Sequence, residues 1–195
     1  MVGGILKGPK LLITYLAIAV PVMAVCIFLI ISGTVSLFLN GYGIDSSGNV
    51  YLGKDTKIEK YYNGAYVGTI NPRTSRGYAF TVQSDDTLLL STASTVYIMD
   101  LDGNILSQTD DVGTKIYNKL QSEKKEFFAS DGSRYIQYSS FGRTIIAHEE
   151  GDIVYKMPLL DYVVKLLFCG EFIFAIILIP IIIYGWRKET FLRKP

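Results

Sequence analysis

From Leu11 to Leu39 the chain reads "LLITYLAIAVPVMAVCIFLIISGTVSLFL", without one charged residue. No other feature restricts the fold as much, because about 20 consecutive apolar residues are enough for a helix to cross a bilayer. A cleaved leader has an apolar region of only about 7–15 residues, so this run is expected to stay as an anchor. A second apolar block, "LLFCGEFIFAIILIPIIIYGW" from Leu166 to Trp186, is again about one bilayer long.

Lys and Arg near the ends of spans stay on the cytoplasmic side. Lys7 and Lys10 precede the first block, and Arg187, Lys188, Arg193 and Lys194 follow the second. The expected topology is a two-span protein of the cell membrane with both termini in the cytoplasm. Residues 1–10 are a tail and 11–39 the first span. Residues 40–158 form one extracytoplasmic domain, 159–186 a second span with a projecting outer turn, and 187–195 a second tail.

Cys26 and Cys169 both lie in the spans, so the external domain uses no disulfide and depends on a packed core. It contains no N-x-S/T sequon, which points to a bacterial surface. No basic run suggests nucleic acid, and the bilayer itself is the first implied partner.

Between the spans the texture changes to short runs rich in Val, Ile, Thr, Tyr and Phe, broken by Gly, Asn, Asp and Ser, the grammar of strands and hairpins. In "KIEKYYNGAYVGTI" the Asn63-Gly64 pair marks a tight hairpin, since both turn positions favour positive φ. "DVGTKIYNKLQSEKKE" breaks the pattern: Ile116 and Leu120 stand at helical spacing, predicting a short helix over 113–123.

The turns come in ordered pairs: Ser47-Gly48 then Asn63-Gly64, Asp85-Asp86 then Asp102-Gly103, Asp131-Gly132 then Glu150-Gly151. Each pair implies a unit of up to four strands and about 40 residues, and this spacing resembles the blades of a β-propeller. No WD or kelch signature accompanies it. A propeller closes with roughly 4–8 blades, and there is room here for three. The expected fold is therefore a mainly-β domain between two transmembrane helices, its units packed as a layered sandwich or completed into a ring by a second chain.

Asp100, Asp102 and Asn104 alternate like the first ligands of an EF-hand, but the required glycine at the sixth loop place and Glu at the twelfth are Ile105 and Asp111. A hairpin turn is the simpler reading of that stretch, and no metal or other cofactor is expected. His148 is the single histidine, and no nucleophile elbow or phosphate loop is present. With no catalytic residues to assign, the domain is read as non-enzymatic. Most of the 14 tyrosines lie in the β region, where strand packing accounts for them.

Glu171 is an ionisable residue inside the second apolar block. Ser32 and Ser36 form a small-xxx-small pair at what hydropathy suggests is the same depth. The three are expected to make a helix–helix contact. The function that follows is binding, sensing or assembly of a cell-surface complex, through a membrane-protein partner or a second copy. The alternative is an accessory subunit of a transporter or secretion complex, with Glu171 in a polar intramembrane contact.

Overall fold

The computed structural model describes residues 8–72, 74 and 77–192. In chain order the elements are α1 (Gly8–Ile31), β1 (Leu39–Ile44), β2 (Val50–Lys54), β3 (Lys57–Tyr62), β4 (Ala65–Ile70), β5 (Ala79–Val82), β6 (Leu88–Ser91), β7 (Thr95–Met99) and β8 (Ile105–Asp110), followed by α2 (Gly113–Glu123), β9 (Glu126–Phe128), β10 (Arg134–Ser140), β11 (Arg143–His148), β12 (Ile153–Lys156) and α3 (Leu159–Leu192). Two compact units result: one holds α1 and α3, and the other runs from Ser36 to Pro158. Lys7, Lys10, Arg187, Lys188, Arg193 and Lys194, which orient the chain in sequence, fall outside the described residues and side chains.

The helix α1 stops at Ile31, short of the end of the uncharged run at Leu39. Gly33 adopts φ +70° just past the end, and its N–H donates to Ile30 O at 3.1 Å. This is the left-handed glycine stop common at helix C-termini, which hydropathy alone does not register. The remaining apolar residues enter the β unit: Leu37 and Leu39 are buried there. Among the described residues one segment, Ile13–Ile31, is long and apolar enough to cross a membrane.

The β unit consists of three four-stranded antiparallel sheets, β1–β4, β5–β8 and β9–β12, and in each the strands follow one another in chain order. Sequence units of this length therefore become propeller-blade-like meanders, and α2 lies where the Ile116/Leu120 spacing predicts it.

The first sheet is the middle layer. Successive side chains of a strand point to opposite faces, and the two faces of β1 meet different neighbours. On one face Gly41 and Gly43 lie against Phe80 and Val82 of β5. On the other, Tyr42 meets Phe127 of β9 with ring centroids 6.0 Å apart, and Tyr61 of β3 meets Tyr155 of β12 at 5.9 Å. Burial follows from this layering. Every residue of β2 is buried, whereas every residue of β8, at the far edge of the second sheet, is exposed.

The recurrent polar-Gly phrases have one structural meaning. In the loops 45–49, 83–87, 100–104, 129–133 and 148–152, the first N–H donates to the fifth carbonyl and the fourth N–H to the first carbonyl. The fourth residue is left-handed, with φ +81° at Gly48 and +58° at Asp86. This is the three-residue hairpin built on a type I turn and a glycine bulge. Asn63-Gly64 instead forms a two-residue turn with both φ positive.

Between the first and third sheets sits a buried charge cluster. Glu59 pairs with Lys54 at 2.8 Å and Lys57 at 2.9 Å, and accepts from Tyr61 Oη at 2.7 Å. Burial alone would raise the Glu59 carboxyl, but the hydrogen bonds from Lys54, Lys57 and Tyr61 outweigh it and hold it below the ordinary carboxylate range. A depressed folded pKa contributes stability above the unfolded value, and that stability is lost as pH falls through the folded one. Glu59→Gln is therefore expected to lower the thermal midpoint at neutral pH and to flatten its decline on acidification, measured by circular dichroism from neutrality to pH about 3.

Candidate functional site

The β unit holds a cleft of about 690 Å³ where the first strands of all three sheets, β1, β5 and β9, converge. β1 supplies Tyr42, β5 supplies Phe80, Thr81 and Val82, α2 supplies Leu120, and the chain from Ser122 to Phe128 forms the remaining wall. Each wall has a local cause. The start of α2 is tied to the β6–β7 turn: Ser91 Oγ donates to Gly113 O at 2.8 Å, and Thr114 Oγ1 to Ala93 O at 2.6 Å. A Cβ at Gly113 would lie 2.5 Å from the backbone of Ser94 and Thr95. That close seat is open only to glycine, and it carries Leu120 to the cleft.

Tyr42 joins the first sheet to the third wall. Its hydroxyl donates to Tyr135 O at 2.9 Å and reaches Lys125 O at 3.4 Å. Burial, and next the charge of Glu126, push the phenol well above its usual range, so it is a fixed donor. The charged rim is partly neutralised. Arg134 bridges Glu126 at 3.0 Å and Glu149 at 3.1 Å, and Lys124 Nζ donates to Gln121 at 2.9 Å. Aromatic and aliphatic walls with a few polar groups suit non-covalent binding. Among the described residues, no histidine or cysteine lines the cleft.

The residues singled out in sequence lie elsewhere. Asp100 staples its own loop: Oδ1 accepts from Asp102 N at 3.0 Å and Asn104 N at 2.8 Å, and Oδ2 from Asn104 Nδ2 at 2.7 Å. The Asn104 side chain is the first of the hydrogen bonds that hold the Asp100 carboxyl below its ordinary range. Its oxygens are thus engaged by the turn, and among the described residues no group of three His, Cys, Asp or Glu could hold a metal. His148 occupies the same first position of its loop. Its Nδ1 accepts from Glu150 N at 3.2 Å as Asp100 accepts from Asp102, and its ring meets Tyr135 edge-on at 5.2 Å.

The expected trio of Ser32, Ser36 and Glu171 does not assemble. Ser32 Oγ bonds Leu29 O at 3.1 Å and Thr34 Oγ1 at 2.9 Å, while Ser36 belongs to the β unit and bonds Phe38 O at 2.9 Å. Glu171 Oε2 instead accepts from Tyr15 Oη at 2.9 Å, and the Tyr15 ring meets Phe174 at 5.2 Å. Tyr15 is 17 residues before Ser32, about 25 Å along a helix. Hydropathy sets Glu171 level with Ser32 and Ser36, whereas its bond to Tyr15 sets it toward the other end of α1. The two apolar blocks pack out of register, and sequence carries no marker of that offset.

Coupling across this pair is directly testable. Glu171→Gln keeps an acceptor and is expected to leave the helices packed, whereas Glu171→Leu and Tyr15→Phe each loosen them. The double variant should lose no more than the worse single one, because both remove the same bond. Fluorescence energy transfer between labels on α1 and α3 in detergent measures this; additive losses would show that the two side chains act separately.

No family model matches the chain, and no curated protein does. Solved structures that resemble it include a protein of unknown function from Bacteroides caccae (TM-score 0.31, 13% identity, 62% of this chain and 46% of that one), a streptogramin B lyase (0.31, 14%, 63% and 42%) and virginiamycin B lyase from Staphylococcus aureus (0.31, 11%, 62% and 42%). This chain spans less than half the length of each. Likeness at that TM-score transfers no activity, and the propeller-like description rests on the three four-strand meanders themselves.

Proposed function

We propose that this chain is a membrane-anchored recognition subunit whose β unit binds its partner at the cleft between β1, β5, β9 and α2. The observation that carries the reading is the cleft itself: about 690 Å³ walled by Tyr42, Phe80, Leu120 and Phe127, in a unit that follows a helix apolar enough to cross a membrane. α3 forms a second crossing in this proposal, both termini are cytoplasmic, and the β unit faces outward. The streptogramin and virginiamycin B lyases are enzymes by name, but the cleft here offers side chains for holding a partner rather than an evident reacting pair.

Two measurements test it. In a background lacking Cys26 and Cys169, a membrane-impermeant thiol reagent on intact cells should label Gly64→Cys and Gly103→Cys but spare Thr190→Cys. Labelling at Thr190 alone reverses the topology. A photo-crosslinking amino acid at Thr81 or Ser122, within the cleft, should then give one discrete adduct that the same group at Thr109 on β8 does not. Equal adducts at both positions would remove the cleft from the recognition surface.

The second reading, an accessory subunit of a transporter or secretion complex, draws on the half-buried polar pair of Tyr15 and Glu171. There Glu171→Gln would abolish the partner's transport while leaving the complex intact.

A further inference from the structure

The open edge of β9 indicates what chemistry the cleft receives. β9 ends its sheet and, among the described residues, pairs only with β10. Ala129 N donates to Ser133 O at 2.9 Å and Gln137 N to Lys125 O at 2.8 Å. Hydrogen-bonded pairs alternate along an antiparallel ladder, so residues 125, 127 and 129 direct their backbone groups to β10. Glu126 and Phe128 therefore direct theirs the opposite way, at the free edge. These outward groups lie two residues apart, about 6.8 Å, the repeat at which an added strand presents its own N–H and C=O.

The corresponding edge of β5 is differently placed. Gln83 N bonds Thr87 O, so Phe80 and Val82 point outward, and their backbone atoms lie directly over Gly41 and Gly43. β9 has instead the cavity, since Glu126, Phe127 and Phe128 are all among its walls. Phe80 and Leu120 supply apolar surface for a side chain directed into it. Lys125, exposed at the mouth, has no ion pair or hydrogen bond through its ammonium among the described residues.

We infer that the cleft binds an extended peptide, which adds as a strand to the β9 edge through the backbone of Glu126 and Phe128, places one apolar side chain toward Phe80 and Leu120, and carries an acidic residue near Lys125. Strand addition of this kind takes affinity from main-chain bonds and specificity from alternate side chains. The inference rests on the cleft being the recognition site proposed above.

The probe is a displayed library of random decapeptides, panned on the full-length protein in nanodiscs. Enriched peptides should lose binding to Thr81→Trp, which fills the cleft, and should weaken with Lys125→Glu. The decisive measurement is an N-methyl scan of one enriched peptide. Methylation is expected to cost at least tenfold at alternate residues and little at those between, because only alternate amides face the edge. On binding, hydrogen exchange of the Glu126 and Phe128 amides should slow, while the Phe127 amide, already bonded to β10, should change little. A peptide that needs the cleft but shows no alternation, or leaves both edge amides unprotected, overturns strand addition and keeps the cleft as a binding site. Panning that yields no cleft-dependent peptide overturns both.

Discussion

Gly43→Ala is expected to destabilise the β unit by about 3 kcal/mol or more, the upper end of what overpacking costs when backbone rather than a side chain must yield. A Cβ at Gly43 would lie 2.6 Å from both Val82 N and Val82 Cγ2. Gly41→Ala belongs with it, since its Cβ would approach Phe80 O to 2.4 Å. Neither glycine has a positive φ, so the requirement is space and not conformation. Gly53→Ala meets the Phe80 ring at 2.7 Å, and a ring can turn, but also Asn40 Cβ at 3.2 Å, which must give by a few tenths of an ångström; an intermediate loss of about 1–2 kcal/mol is expected. Gly68→Ala meets nothing within 4 Å and, by restricting the unfolded chain, should be neutral or slightly stabilising. Against a typical total of about 5–15 kcal/mol, Gly41 and Gly43 replaced together should leave no cooperative transition. Denaturant unfolding followed by near-ultraviolet circular dichroism of the tyrosines orders the four variants. If Gly43→Ala unfolds with Gly68→Ala, the second sheet does not rest on β1 as described.

These glycines mark a limit of reading the chain as a string. "NGYGI" has glycine at alternate positions, and glycine inside a strand signals close approach by another backbone. Hydropathy masks that signal here, because the same stretch adjoins an apolar run that reads as a membrane span. The turns were more legible: the polar-Gly phrases depend on local φ and local hydrogen bonds, which residues a few places apart determine. The meanders followed, since short turns force consecutive strands to pair. Which sheet packs on which did not follow. Alternation specifies that a strand has two faces but not the neighbour of either, so nothing in sequence placed the third sheet on the first, opposite the second. The cleft shared this fate, because its walls come from residues 42, 80–82, 120 and 122–128, brought together only by that layering. The Tyr15–Glu171 bond was hidden for a related reason: the helix stop at Gly33 and the offset of α1 against α3 both depend on geometry beyond composition.

The second large effect separates two copies of one loop by their surroundings. Asp45 and Asp100 hold the same first position, and each accepts from the backbone two and four residues on and from the Asn that follows Gly48 or Gly103. The Asp45 Oδ2 has a further partner, the Tyr51 hydroxyl at 3.0 Å, on a tyrosine that is fully buried. Burial, and next the bond to Asp45, push that phenol far above its usual range, so it remains a donor that needs an acceptor. Asp45→Ala removes the loop staple and strands this hydroxyl in the core, at an expected cost of about 3 kcal/mol, since an unsatisfied buried donor alone costs about 1–3. Asp100→Ala leaves the N–H groups of Asp102 and Asn104 exposed to water, which replaces the lost bonds, and its effect should be much smaller. Adding Tyr51→Phe tests the mechanism, because it removes the stranded donor: on the Asp45→Ala background it should recover part of the loss, while alone it should destabilise. Thermal unfolding of the four variants, with parent as reference, closes the cycle. Equal losses for Asp45→Ala and Asp100→Ala would mean that the loop, and not the buried tyrosine beneath it, sets the energetic weight of the recurrent phrase.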